Sequence, residues 1–286
     1  MHVPVMLGEA LEFLAIRPEG VYLDATAGLG GHTRAIAERL TTGLVIASDR
    51  DAESLERARQ NSADLAARIR YHHGSFADVR RALEAAAVER VDGLLADLGV
   101  SRYQLTDPAR GFSLMANGPL DMRMDRSGGT TAADLVNFTS EKELADLLFR
   151  LGEERRSRQA ARAIVRARPL HSTGQLARVV EQAVPRTGRL HPATQVFMAL
   201  RLAVNGELEQ LDGLLAEAPE LVARGGRIVF ITFMSLEDRR VKRSFQDMAR
   251  SERAVILTKH VIRPSEEEIR SNPPSRSAKL RAVEMR

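Results

Sequence analysis

The stretch Val21-Tyr22-Leu23-Asp24-Ala25-Thr26-Ala27-Gly28-Leu29-Gly30-Gly31-His32-Thr33 constrains this chain more than any other. A short β-prone run ends in an acid. A turn of small residues follows, with glycines at 28, 30 and 31. A helical pattern then begins, with Ile36, Ala37 and Leu40 on one face. Strand, tight turn and helix in this order open a nucleotide-binding βαβ unit. Glycine permits positive φ and lets a ligand approach the backbone. The start of a helix offers N–H groups that have no partner within the helix.

The glycine pattern by itself leaves several readings open. A dinucleotide fingerprint has glycine at the position of Thr33, and this chain has an extra glycine at 31. The turn fits a pocket without a pyrophosphate, such as one for S-adenosylmethionine, equally well. It also fits a plain tight turn with no ligand.

Strands and helices alternate on either side of this element. A first helix spans Val5–Ile16. Strands are predicted at 44–49, 69–73 and 91–97, with helices between them at 52–67 and, after the exit loop 74–78, at 79–87. Nearly continuous apolar strands that alternate with helices predict a buried parallel sheet. The alternation stops at about residue 106. From there to 205 the pattern is loop-rich and then helical, at 131–138, 140–151, 157–167, 174–183 and 192–204. Strand pattern resumes at 227–232, after the turn Arg224-Gly225-Gly226, and a helix spans 235–250. Final strands are expected at 254–262 and 278–285, joined by a Pro- and Ser-rich loop. The expected architecture is α/β. A doubly wound Rossmann-like sheet is built from 1–105 and 206–286, and a mostly helical domain of 106–205 is inserted into it.

Composition excludes some classes. The 286 residues contain no cysteine, so there is no disulfide framework and no thiolate metal site. No histidine sits in a ligand cluster, and His72-His73 point to opposite faces of a strand, so no metal is expected. No apolar run approaches a membrane span and no leader pattern opens the sequence, so the expected address is cytoplasmic. The net charge of +4 permits a nucleic-acid partner without requiring one. No nucleophile elbow and no phosphate-binding G-K-[ST] loop is present.

The remaining chemistry gathers at predicted strand ends. Asp49 ends the second strand, where an acid can hold ribose hydroxyls. It could equally cap the following helix, although Asp51 can take that role. Phe76 follows the third strand and could lie against a purine or belong to the core. Asp97 ends the fourth strand beside the first, at the switch point where such sheets bind ligands. It could hold an amino group of a cofactor, accept from a substrate amine, or serve only as a turn acid.

Several longer motifs occur in order along almost the whole chain. They include His2-Val3-Pro4-Val5, the glycine stretch, Asp97-Leu98-Gly99-Val100-Ser101 and Arg110-Gly111-Phe112-Ser113. They continue with Gly118-Pro119-Leu120-Asp121-Met122-Arg123-Met124-Asp125, His191-Pro192-Ala193-Thr194 and Ser235-Leu236-Glu237-Asp238-Arg239, and end in Asn272-Pro273-Pro274-Ser275-Arg276-Ser277-Ala278-Lys279-Leu280-Arg281. In these motifs the chain resembles the bacterial small-subunit ribosomal RNA cytidine N4-methyltransferases, the MraW family. The resemblance implies S-adenosylmethionine as cofactor and a cytidine in the decoding centre of 16S rRNA, free or in the small subunit, as substrate. It implies cofactor contacts at Gly30, Gly31, His32, Asp49, Phe76, Asp97 and Gln104, with Asp97 also the catalytic candidate. It makes the helical insertion the RNA-recognition domain.

The chain departs from the family pattern in three places. Met234 stands where His is usual before Ser235, Arg102 replaces a Ser, and Gln195 replaces an Arg. The last removes a basic residue from a region expected to meet RNA.

Methylating a cytosine amine needs an acceptor for its N–H and alignment with the methyl donor. The Pro-Pro-aromatic signature of DNA amino-methyltransferases is missing from the Asp97 loop, which leaves Tyr103 and Phe112 as candidates for stacking the base. Two other functions compete: a NAD-dependent oxidoreductase, and a non-catalytic rRNA-binding assembly protein on the same scaffold.

Overall fold

The computed structural model describes residues 4–186, 188 and 190–286. His2 and Val3 of the N-terminal motif lie outside the described residues. The chain divides into two compact units, residues 1–99 with 208–286, and 100–207.

The first unit begins with helix α1 (Leu7–Leu14), strand β1 (Val21–Asp24), α2 (Gly31–Ala37), β2 (Leu44–Asp49) and α3 (Ala52–Asn61). β3 (Ile69–His73), α4 (Val79–Ala85) and β4 (Val91–Asp97) complete its N-terminal part. The chain then builds the second unit from α5 (Arg102–Thr106), α6 (Ala132–Phe138), α7 (Glu141–Gly152), α8 (Ser157–Arg166), α9 (Thr173–Ala183) and α10 (Thr194–Asn205). It returns through α11 (Glu207–Leu221) to β5 (Val222–Thr232), α12 (Ser235–Arg250), β6 (Ala254–Ile256), α13 (Glu266–Ser271) and β7 (Lys279–Met285).

The sheet order is β3-β2-β1-β4-β5-β7-β6. β1 to β5 pair in parallel, and β7 runs antiparallel between β5 and β6. Both faces are buried, which explains the continuous apolar strands. Leu23, Ile46, Leu94, Ile228 and Phe230 enter one core cluster, with residues of α4, α11 and α12. Their strand neighbours Tyr22, Val45, Leu95, Val229 and Ile231 enter another, with α1 and α2. The alternation follows the two-residue period of a strand. Each such side chain contributes roughly 1.5–3 kcal/mol on burial. The doubly wound sheet expected from the sequence is therefore present.

Several segments differ from the sequence reading, among them the expected strand 254–262, which is a strand only over Ala254–Ile256. β5 starts at Val222, runs through Arg224-Gly225-Gly226 and shifts register against β4 there, with Gly225 at φ +76°. A local bulge replaces the expected turn. The expected helix 52–67 stops at Asn61 and continues as a 3-10 turn from Ala63 to Arg68. The loop before β7 contains α13, whose N-cap Ser265 accepts from Glu268 N–H at 3.1 Å.

In the second unit the amphipathic helices surround a core that includes Leu144, Leu148, Ile164, Leu176, Val180 and Leu200. Two motifs from the sequence are scaffold here. Arg110, 1% exposed, donates from Nη2 to the carbonyls of Arg123 and Met124 at 3.1 and 2.9 Å. Asn205 accepts from Met124 N–H and donates to Met122 O, both at 2.8 Å. A Cβ on Gly118 would stand 1.8 Å from Pro108 O, and one on Gly111 2.2 Å from Pro119 O. Glycine is required at both for the chain to cross itself.

Candidate functional site

The site-bearing turn is tied to the strands on both sides of β1. Ala25 N–H donates to Leu95 O in β4 and Ala27 N–H to Ser48 O in β2, both at 2.9 Å. Thr26 Oγ1 accepts from Asp97 N–H at 2.6 Å. Asp24 is fully buried at the end of β1. It accepts from Thr33 Oγ1 at 2.6 Å and from Thr26 N–H at 3.2 Å, joining strand, turn and α2. Burial raises its carboxyl to about 6 despite these bonds. In the sequence Asp24 is legible only as a strand end. An acid followed by Thr two and nine residues later was the signal for this role.

The three glycines have different tasks. Gly30, at φ +85°, is the N-cap of α2, and a Cβ there would stand 3.0 Å from that of Ala58. A Cβ on Gly31 would meet Pro4 Cγ at 2.4 Å. Protein packing thus explains both. At Gly28, φ +52°, the nearest atom to a Cβ is 3.9 Å away, so the tip of the turn borders open space. Of the three glycines, Gly28 leaves the most room for the close approach of a ligand.

Asp49 meets this tip. Its Oδ2 accepts from Gly28 N–H at 2.7 Å and its Oδ1 from Asp51 N–H at 2.8 Å. Asp51 caps α3, accepting from Glu53 and Ser54 N–H, as the sequence suggested. Asp49 is not left free by that arrangement, because it braces the turn. Each oxygen retains a second lone pair for a ligand. Burial raises its carboxyl to about 6.

Asp97 stands on the other side of β1, on β4. Its Oδ1 is buried with no hydrogen-bond partner, although the side chain as a whole is 22% exposed. Its Oδ2 lies 3.7 Å from His32 Nδ1, beyond hydrogen-bond reach. His32 is 5% exposed, and its Nε2 faces Val5 O at 3.1 Å. A carbonyl can only accept, so Nε2 carries the hydrogen and the Nδ1 edge turns toward Asp97. Burial, then the charges of Asp24, Glu237 and Glu268, hold the Asp97 carboxyl well above its ordinary value. An unsatisfied buried carboxyl oxygen costs about 1–3 kcal/mol, a cost that an arriving donor can remove.

Phe76 is half-buried in the loop after β3 and packs against the core cluster that contains Leu23 and Ile46. Gln104 belongs to the second unit. It is buried, and its Oε1 accepts from Ser101 N–H at 2.9 Å while Ser101 Oγ accepts from Gln104 N–H. This capping box starts α5. Gly30, His32, Asp49 and Asp97 thus stand around one turn, and Gln104 is built into another element. Phe112, 7% exposed in the core of the second unit, is unsuited to stacking a base. Phe138 and Phe149, at 82% and 59% exposed, are the open aromatic rings there. Neither is legible in the sequence, because helical spacing alone does not separate an exposed ring from a buried one.

Met234 is buried, with its N–H and that of Phe233 both donating to Glu237 Oε2 at 3.0 Å. The carboxylate of Glu237 therefore fixes the start of α12 through backbone groups, independently of the side chain at 234. No cluster of three or more His, Cys, Asp or Glu suited to a metal ion occurs among the described residues. No described helix is long and apolar enough to cross a membrane.

The profile of the MraW methylase family matches residues 1–286. This chain belongs to that family. A protein of Solibacter usitatus named ribosomal RNA small subunit methyltransferase H is 66% identical to it over the full length of both. A protein of the same name from Koribacter versatilis is 50% identical, over 99% of this chain and 93% of its own length. Among solved structures, an rRNA methylase from Streptococcus thermophilus aligns with 11% identity and a TM-score of 0.46, over 100% of this chain and 99% of its own. Membership of a methylase family replaces the oxidoreductase reading of the glycine turn. The departure from a dinucleotide fingerprint at Thr33 is then accounted for, because Thr33 holds Asp24.

Proposed function

We propose that this chain methylates the exocyclic N4 amine of a cytidine in the decoding centre of small-subunit ribosomal RNA, in the cytoplasm. Its relatives carry the name of a small-subunit ribosomal RNA methyltransferase, which supports the substrate class. The first unit carries the transfer chemistry and the second binds RNA.

S-adenosylmethionine supplies the electrophilic methyl group, and the residues present suit it. The observation that carries this reading is Asp97 Oδ1, a buried acceptor without a partner at the switch point of the sheet. It takes the cofactor's amino group. Asp49 takes ribose hydroxyls with its remaining lone pairs, and Gly28 provides the close approach. Phe76 offers its half-buried ring to the adenine. Asp24 and Thr33 hold the turn rigid, so that the geometry exists before binding.

The cytosine amine is a weak nucleophile because its lone pair is shared with the ring. N4 would form one bond to the methyl carbon as that carbon's bond to the donor sulfur breaks, with the electron pair left on sulfur, and would give up one of its two hydrogens as a proton. The protein's part is to align the amine, exclude competing water and leave an acceptor within reach of that proton. Reaching N4 requires the base to leave its stack.

The test is methylation in vitro with isotopically labelled S-adenosylmethionine. Small subunits and naked 16S rRNA, both from cells lacking the activity, serve as substrates. Digestion and mass spectrometry should return a labelled N4-methylcytidine from one position. A label on another atom or base, or none at all, rejects the reading.

A further inference from the structure

A base drawn out of its stack needs a new flat surface as well as a methyl donor. The turn Asp97-Leu98-Gly99, which carries the unpartnered Oδ1, contains no aromatic residue. A ring must come from another element. Within the first unit, Tyr22, Phe230 and Phe245 are core side chains, each 2% exposed or less. Tyr71 belongs to the outer strand β3 and carries the Arg59 guanidinium over its ring at 4.9 Å. Phe13 lies toward the amino end of the regular part of β5, where its carbonyl accepts from Arg227 at 3.1 Å. With Phe76 assigned to the adenine, Phe233 remains. It is half-buried and stands one residue beyond the end of β5.

The sheet fixes Phe233 relative to Asp97. Asp97 is in register with Ile231, and Leu98 N–H donates to Ile231 O at 2.9 Å. Leu95 and Ile231 both enter the core cluster that includes α1 and α2. Two residues further along each strand, Asp97 faces His32 of α2 and Phe233 packs against that same cluster. Both side chains therefore stand on one face of the sheet, on adjacent strands at its carboxyl edge.

The ring hangs from an anchored backbone. Phe233 N–H donates to Oε2 of Glu237, a carboxylate only 2% exposed. Glu237 is also one of the charges that raise the Asp97 carboxyl, so anchor and acid share one neighbourhood. Gly99, at φ +123°, meets the ring from the turn. A Cβ there would stand 3.4 Å from Phe233 Cδ2 and 3.8 Å from Cε2. Glycine keeps this edge of the ring clear of any side chain from residue 99.

We propose that Phe233 is the ring on which the target cytosine lies during methyl transfer. The neighbouring strand thereby supplies the flat surface that the Asp97 turn lacks. The inference rests on the cytidine substrate proposed above. Stacking on an aromatic face suits a base that has left its own stack, and it sets the plane in which the exocyclic amine meets the donor.

The full-length chain is tested on whichever of small subunits and naked 16S rRNA the wild type methylates, with saturating labelled S-adenosylmethionine. Phe233→Leu keeps apolar bulk against the core and removes the flat face, and Phe233→Tyr keeps both. Phe233→Leu should lower kcat/KM for the RNA substrate about ten- to a hundredfold, the range for losing one base–aromatic stack. Phe233→Tyr should recover most of that loss. Calorimetric affinity for S-adenosylmethionine should match wild type in both variants. A Phe233→Leu value within about twofold of wild type overturns the proposal. So does a loss that Phe233→Tyr shares in full, which would make the residue a packing group. A fall in S-adenosylmethionine affinity that accounts for the loss would give the ring to the cofactor and also overturn it. Wild-type label on a different base, lost in Phe233→Leu and restored in Phe233→Tyr, would remove the cytidine reading and keep the ring's role. N4-methylcytidine formed equally well by Phe233→Leu would do the reverse.

Discussion

Asp49 Oδ2 accepts a hydrogen bond from the backbone N–H of Gly28 at 2.7 Å, so the acid at the end of β2 holds the tip of the turn after β1. One carboxylate thus has a scaffolding task and a proposed ligand task. Asp49→Ala should weaken S-adenosylmethionine binding by about 1–3 kcal/mol and also lower the melting temperature. Calorimetry and thermal melting on the same preparation separate the two effects. A lower melting temperature with unaltered affinity would assign Asp49 to the turn alone.

Cofactor binding should release a proton. Burial, then the charges of Asp24, Glu237 and Glu268, raise the Asp97 carboxyl well above its ordinary value, so its neutral form persists to higher pH. A cationic amino group can pair with it only after ionisation. Affinity should therefore rise with pH, and binding enthalpy should differ between phosphate and Tris buffers in proportion to the protons released. Asp97→Asn should abolish that buffer dependence and weaken binding. If Asp97 acts on the cytidine amine instead, affinity will hold and the single-turnover rate will fall by roughly 10²-fold or more.

The stability of the first unit should carry a reversed acid signature. Asp24 is raised from 3.8 to about 6 and is fully buried. A carboxyl raised on folding contributes stability that is complete below its unfolded value and is lost as pH rises through the folded one. The rise from 3.8 to about 6 corresponds to about 3 kcal/mol. The melting temperature of the wild type, measured relative to Asp24→Asn, should therefore rise as pH falls from 7 to 5. A difference that stays flat over that window would mean that Asp24 ionises without penalty.

On the second unit, Arg150, Arg158 and Arg166 form no ion pair among the described residues, whereas Arg162 lies 3.5 Å from Glu141. Changing the first three to Gln should weaken RNA binding and flatten its salt dependence. Arg162→Gln should change both less. Equal salt slopes for the triple variant and wild type would return these arginines to the role of a solvated face.

Gly111→Ala tests the scaffold. The residue sits at φ +73°, and a Cβ would stand 2.2 Å from Pro119 O. Unfolding free energy should fall by more than the roughly 1 kcal/mol of an ordinary glycine substitution, with a lower melting temperature as the readout. Near-wild-type melting would show that the segment 118–121 can move aside.

The sheet was legible because its strands are buried on both faces. Leu44–Asp49 and Val91–Asp97 read as strands without any alternation. The helix Ser235–Arg250 was legible to the residue. α11 was not found, because Gly213 and Pro219 interrupt its pattern and only packing of Leu211, Leu214 and Ala218 holds it. At the site, acids at strand ends were visible, but their partners were not. That Gly28 rather than Gly30 borders open space depends on Ala58, which is distant in sequence. That Gln104 is a cap rather than a free amide follows from its bond to Ser101, three residues away, and was readable as a capping box.

The antiparallel seat of β7 between β5 and β6 bears on the order in which the chain can be finished. During synthesis the second unit is contiguous and is complete as soon as residue 207 emerges. The first unit must keep its N-terminal strands waiting until residues 279–285 arrive to fill the slot beside β5. Until then β5 has an open edge, and β6 has no neighbour. The nascent chain can therefore complete its second unit before the sheet of the first is closed, and until then the edge of β5 stands open to unwanted pairing.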